Sequence, residues 1–149
     1  MRFTRSVLSL AAVTALAAGS TAFLASPASA AANTTPQKVC GSGYKTVNSA
    51  AVGSLGKVYL TYNAANGRNC VATIRSTPGK ALDMSTWLYV PDTEQGDSDW
   101  GTYTSYAGPA SVYGKGHCVD WGGNIQNIYV SVYGSNCAAL KEQRVTSIR

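Results

Sequence analysis

The chain holds one histidine, His117, in the segment Gly114-Lys115-Gly116-His117-Cys118-Val119-Asp120-Trp121-Gly122-Gly123. Nucleophilic catalysis needs a nucleophile, a base and a group that orients the base, all converging in space. Asp120 is placed to orient His117 and serines abound, but no Gly-x-Ser-x-Gly turn is present. If His117 and Cys118 alternate along one strand, their side chains point to opposite faces, which defeats a cysteine–histidine pair. The expectation is a solvent-edge histidine beside a disulfide, with no catalytic residue.

Asp92, Glu94, Asp97 and Asp99 place four carboxylates in eight residues. Oxygen ligands at that spacing suit a weak calcium site, although the glycine and final glutamate of an EF-hand loop are misplaced. A glycosidase pair would want its two acids on rigid elements at a set separation. These four share one acidic loop, 92–99, so a solvated turn is expected, with weak calcium binding as the alternative. No phosphate-gripping glycine loop is present, because Gly41-Ser42-Gly43 and Gly114/Gly116 lack a strand–loop–helix context. No cofactor is implied.

The aromatic set is large: Tyr44, Tyr59, Tyr62, Trp87, Tyr89, Trp100, Tyr103, Tyr106, Tyr113, Trp121, Tyr129 and Tyr133. Tyrosine and tryptophan join a flat apolar surface to a polar handle, so they either fill a core or stack on sugars, bases or another protein. Trp100, Tyr103 and Tyr106, flanked by polar residues, are the expected binding face. On one regular strand Trp100 and Tyr106 share a side and Tyr103 takes the other. Such a face needs a bulge near Gly101 or is only Trp100 and Tyr106 wide.

The elements that must position these residues begin after residue 30. Arg2 and Arg5, the apolar run from Val7 to Leu24, and Pro27 before Ala28-Ser29-Ala30 read as a secretory signal peptide, 1–30, cleaved after Ala30. A flexible leader, 31–39, and one disulfide-stabilised β domain, 40–149, follow. No later run suits an integral membrane anchor. The formal charge of +5 falls to +3 once Arg2 and Arg5 leave. Scattered basic residues favour weak attraction to anionic wall polymers or lipids; they do not make the concentrated patch that nucleic acid needs.

Cys40, Cys70, Cys118 and Cys137 are an even set in an exported chain, which argues for two disulfides. Cys40–Cys70 and Cys118–Cys137 are favoured among the three pairings because each links elements close in sequence. In a chain-entropy account each bridge contributes roughly 3 to 4 kcal/mol. With no C-x-x-C pair and one histidine, a zinc site is poorly supported.

Short β-prone runs near 57–63, 69–75, 86–90, 100–106, 117–121 and 127–133 alternate with turn signals, and Tyr44–Val47 is a weaker run. Asn66-Gly67 tolerates positive φ and marks a hairpin; Gly122-Gly123-Asn124 reads as another turn. Ile128, Val130 and Val132 share one face, and Tyr129, Ser131 and Tyr133 the other, the half-buried antiparallel pattern. Only Ala138 to Arg144 has a helical pattern, and it is short. The expected fold is all-β: a small antiparallel β-sandwich, with a closed β-barrel as the alternative.

Cys40-Gly41-Ser42-Gly43-Tyr44, Leu60-Thr61-Tyr62-Asn63, Gly67-Arg68-Asn69-Cys70, Ser105-Tyr106-Ala107-Gly108-Pro109 and His117-Cys118-Val119-Asp120-Trp121-Gly122-Gly123 resemble the spore-associated protein A family of streptomycetes and related actinobacteria. The resemblance runs from about Cys40 to Cys137 and includes the signal. It implies an exported protein found with spores or aerial hyphae, and brings no catalytic residues to carry across. Two classes of function follow. One is an exported non-catalytic spore- or cell-surface protein that binds envelope polymer or another surface protein. The other is a secreted effector or small hydrolase whose site is not visible as a motif. Oligomeric state is left open.

Overall fold

The computed structural model describes residues 34–137 and 144–148, with side chains described through residue 137. The expected signal peptide, 1–30, and residues 138–143 of the expected helical pattern lie outside the described residues.

In chain order the elements are α1 (Pro36–Cys40), β1 (Lys45–Val52), β2 (Gly56–Asn63), β3 (Arg68–Arg75), β4 (Leu82–Val90), β5 (Gln95–Tyr103), β6 (Tyr106–Tyr113), β7 (Val119–Ile125), β8 (Ile128–Ser135) and β9 (Arg144–Ile148). One antiparallel sheet runs β1-β2-β3-β6 and a second β5-β4-β7-β8-β9. Two sheets face to face, not closed on each other, are a β-sandwich. Helix α1 falls in the segment expected to be a loose leader. The Thr35 hydroxyl accepts the Lys38 N–H, and Pro36 occupies the first turn, where its missing N–H costs nothing. The Cys40–Cys70 disulfide ties the helix to β3, and Cys118–Cys137 ties the loop before β7 to the end of β8, as the spacing predicts.

Period-two burial builds the core. Met84, Thr86, Leu88 and Val90 of β4 are buried while Asp83 and Tyr89 are exposed. Val58, Leu60 and Val71 of the four-stranded sheet meet Leu88, Trp121, Ile125, Val130 and Val132 of the other in one cluster. Trp121 is fully buried, and its indole N–H donates to Ser135 Oγ at 2.9 Å, so its one polar atom is satisfied.

Three expected boundaries differ. The strand expected at 100–106 is split: β5 ends at Tyr103, and β6 begins at Tyr106 in the opposite sheet. The loop expected over 92–99 shrinks to a turn, because β5 starts at Gln95 and pairs with β4 through Val90↔Gln95, Leu88↔Asp97 and Thr86↔Asp99. Gly122-Gly123-Asn124 is not a turn but the middle of β7. A Cβ on Gly122 would sit 2.2 Å from Val130 O and 2.7 Å from the Trp87 indole nitrogen, and one on Gly123 2.4 Å from Thr73 Oγ1 across the sandwich. These glycines serve close packing on both faces of a strand.

Candidate functional site

His117 lies just before β7, outside regular structure. Its Nδ1 is 3.1 Å from Asp92 Oδ2 in the β4–β5 turn, while Asp120 Oδ1 accepts the Gly134 N–H at 2.8 Å. The orienter expected in sequence is thus engaged elsewhere. Cys118 is in its disulfide, and among the described residues no hydroxyl is hydrogen-bonded to the imidazole.

The acidic run has a structural task that the sequence reading missed. Asp97 and Asp99 sit two apart on β5 and face the same way. Asp97 Oδ2 accepts the Ser111 N–H at 2.8 Å, and Asp99 Oδ2 accepts the Gly108 N–H at 2.6 Å. Strand β6 is the last strand of its sheet. The two carboxylates therefore satisfy edge N–H groups that no neighbouring strand reaches, and they stitch one sheet to the other along this side. Asp92 is turned to His117, so the four acids weighed as calcium ligands, Asp92, Glu94, Asp97 and Asp99, do not converge. Among the described residues no three His, Cys, Asp or Glu side chains form a metal-holding group. The Asp-x-Asp spacing on a strand was the signal for this seam.

Tyr103 is half-buried against the core, and its hydroxyl donates to Asp99 Oδ1 at 2.6 Å. That hydrogen bond, then burial, then the Asp99 charge hold the phenol above its ordinary range. The sign follows: a raised pKa means that the fold favours the neutral phenol, so this stabilisation is complete below pH about 10 and is lost as pH rises through the folded-state value. Tyr103→Phe is expected to remove from an alkaline absorbance titration a tyrosine that ionises above the ordinary phenol range. It is also expected to reduce the loss of thermal stability between neutral pH and pH about 11 relative to the parent chain. An unchanged titration would refute the assignment.

The three aromatics expected to form one face are divided. Tyr103 turns to the inner side of β5, and Tyr106 stands on the outer side of the four-stranded sheet, half-exposed. The two meet at the corner where the chain changes sheets, around a shallow concavity of about 290 Å³ shared with Thr104, Ser105 and Gly108. Trp100 stands apart, 80% exposed, on the outer face of the five-stranded sheet.

Trp100 has aromatic company there that comes from other strands. Register places Trp100, Ser85, Asn124 and Tyr129 in one row across β5, β4, β7 and β8. Three strand spacings put the ends of that row about 14 Å apart. The next row holds Ser98, Trp87, Gly122 and Ser131. The Trp87 indole lies across Gly122, with its ring centroid 6.5 Å from that of Tyr133. Tyr89 lies over Gly96, and Tyr89, Tyr129 and Tyr133 are all exposed. Between the aromatic ends the floor is polar. Ser85 Oγ donates to Asn124 Oδ1, and Asn124 Nδ2 donates to Asp83 Oδ2 at 3.0 Å and to Gln126 O at 2.8 Å. The alternation Tyr129/Ser131/Tyr133 was the sequence signal for part of this face; the contribution of β4 required the pairing.

Charge is segregated. Every described acidic side chain, Asp83, Asp92, Glu94, Asp97, Asp99 and Asp120, belongs to the five-stranded sheet or its β4–β5 turn. Every lysine and arginine whose side chain is described, Lys38, Lys45, Lys57, Arg68, Arg75, Lys80 and Lys115, lies on α1, on the four-stranded sheet or in a connection leaving it, while Arg144 opens β9 of the five-stranded sheet opposite Tyr133. The described side chains therefore favour an anionic partner on the side of the four-stranded sheet.

Spore-associated protein A of Streptomyces coelicolor is 51% identical to the chain over 133 residues, covering 88% of this chain and 86% of that protein. No protein-family model matches the chain, and no solved structure matches it.

Proposed function

Because the chain belongs to the spore-associated protein A family, we propose that it is an exported, non-catalytic protein of the spore or cell surface that binds an envelope polysaccharide through the outer face of its five-stranded sheet. The observation that carries the reading is Trp100, a large apolar ring 80% exposed beside a polar floor and in a row with Tyr129. Exposed indole and phenol rings stack on the apolar faces of sugars, while Ser85 and Asp83, held in place by the buried Asn124, supply a hydroxyl and a carboxylate to accept from sugar hydroxyls. The signal read in Arg2 to Ala30 supports export. The environment of His117 and Cys118, with no nucleophile beside the imidazole among the described residues, supports a non-catalytic role.

Isolated spore envelope and vegetative cell wall test this directly, each used untreated, protease-treated or digested with polysaccharide hydrolases. The protein is expected to sediment with protease-treated material and to be released by glycan digestion. Loss on protease treatment alone would replace the polysaccharide by a protein partner. Failure to sediment with untreated material would return the chain to the secreted effector or hydrolase class.

A further inference from the structure

The basic side of the sandwich carries a second feature, independent of the aromatic face. At the end formed by the β1–β2 turn and the β3–β4 connection lies a concavity of about 230 Å³, lined by Ser54, Leu55, Arg75, Ser76, Thr77 and Pro78. Arg75 is the last residue of β3 and half-buried. Its Nη1 donates to the carbonyl oxygens of Lys80 at 2.8 Å and Thr104 at 2.7 Å. Two backbone acceptors on one nitrogen fix the plane of the guanidinium. Among the described residues no carboxylate pairs with Arg75, and neither its Nε nor its Nη2 has a protein partner.

A guanidinium held in this way has already lost much of the side-chain freedom that binding would otherwise have to restrict. Its Nε–Nη2 edge is the fork that meets two oxygens of one carboxylate or phosphate in parallel hydrogen bonds. The hydroxyls of Ser54, Ser76 and Thr77, which line the same concavity, have no hydrogen-bond partner among the described residues. They are neutral donors for the remaining oxygens.

We propose that this concavity is an oxyanion site in which the Arg75 fork grips a phosphate or carboxylate group of an anionic polymer. The hydroxyls of Ser76 and Thr77 complete the cradle. The protein then has two binding regions of different chemistry, one for sugar rings and one for acid groups, on opposite sides of the charge divide. The second does not depend on the first.

The test follows the side-chain Nε–H resonance of Arg75 in the ¹⁵N-labelled protein during titration with a glycerol-phosphate oligomer and, separately, with a galacturonate oligomer. Arg68 serves as the internal control, because its Nε already donates to Ser111 Oγ at 3.2 Å and its Nη2 to Ser111 O. The Arg75 signal is expected to shift saturably, at concentrations at which Arg68 does not move. Saturation with the phosphate oligomer alone assigns a phosphodiester polymer, and with galacturonate alone a carboxylated one. Arg75→Lys, which keeps the charge and loses the fork, is expected to weaken binding about tenfold. Ser76→Ala with Thr77→Val gives a second reading that leaves the clamp to Lys80 and Thr104 in place, with an expected loss of about threefold. No saturable shift at Arg75, or equal shifts at Arg75 and Arg68, would overturn the proposal. Trp100→Ala is expected to leave the Arg75 titration unchanged, which separates failure of this site from failure of the aromatic face.

Discussion

Trp100→Ala is expected to lower affinity for isolated envelope by about thirtyfold while leaving the fold as it is. Truncating an aromatic anchor of a binding face costs about 2 kcal/mol or more, and each 1.4 kcal/mol is about tenfold. Stability is expected to change little. The indole is 80% exposed on β5, an outer strand of its sheet, and contributes almost nothing to the core. Surface substitutions of that kind stay within about 0.5 kcal/mol. Sedimentation isotherms on envelope give the affinity and thermal unfolding monitors the fold. Tyr113→Ala, an exposed ring on the other sheet, is the matched control and is expected to bind as the parent does. A loss of less than about threefold for Trp100→Ala would take this face out of the function, whatever the parent protein binds.

Trp121→Ala is expected to have the largest effect on folding of any single truncation in the core. Trp121 leads the fully buried side chains in volume and packs where strands of both sheets converge. Removing a buried tryptophan costs about 3 to 5 kcal/mol. The substitution also takes from the buried Ser135 Oγ the indole N–H that donates to it. Domains of this size are stable by only about 5 to 15 kcal/mol. A fall in melting temperature of more than about 12 °C is therefore expected, measured with both disulfides intact. Trp121→Phe keeps part of the ring volume and loses the N–H, so it is expected to fall between alanine and the parent. A melting temperature within a few degrees of the parent for Trp121→Ala would mean that the core is not organised around this residue.

The disulfides show how much was legible in the sequence. Cys40–Cys70 and Cys118–Cys137 close short loops, and short loops are the ones whose ends meet most readily. The acidic run shows where legibility stopped. Gln95-Gly96-Asp97-Ser98-Asp99 has low strand propensity and reads as a loop. Its strand conformation comes from β4 on one side and from the edge N–H groups of Gly108 and Ser111 on the other. The first is a hairpin neighbour whose turn signal lies within the acidic run itself, and the second belongs to the opposite sheet. Gly122-Gly123 failed for a related reason: the same dipeptide serves a turn or a crowded strand, and the crowding comes from Trp87, Val130, Ser85 and Thr73.

The sequence by itself determined the β class, most strand positions and both disulfides, because period-two alternation, turn residues and short cysteine spacing are local properties of the chain. Only the tertiary structure decided which sheet each strand joins, and with it which aromatic rings share a face. Trp100, Tyr103 and Tyr106 are close in sequence, yet the chain crosses from one sheet to the other at Thr104-Ser105, so Tyr103 and Tyr106 meet at that corner from opposite sheets while Trp100 stands apart on the outer face. Trp100 and Tyr129 are far apart in sequence and share a row, because the β4–β5 hairpin and the β7–β8 hairpin are joined by pairing of β4 with the distant β7. Alternation fixes the side of a strand on which a residue lies; pairing between distant strands fixes what lies beside it.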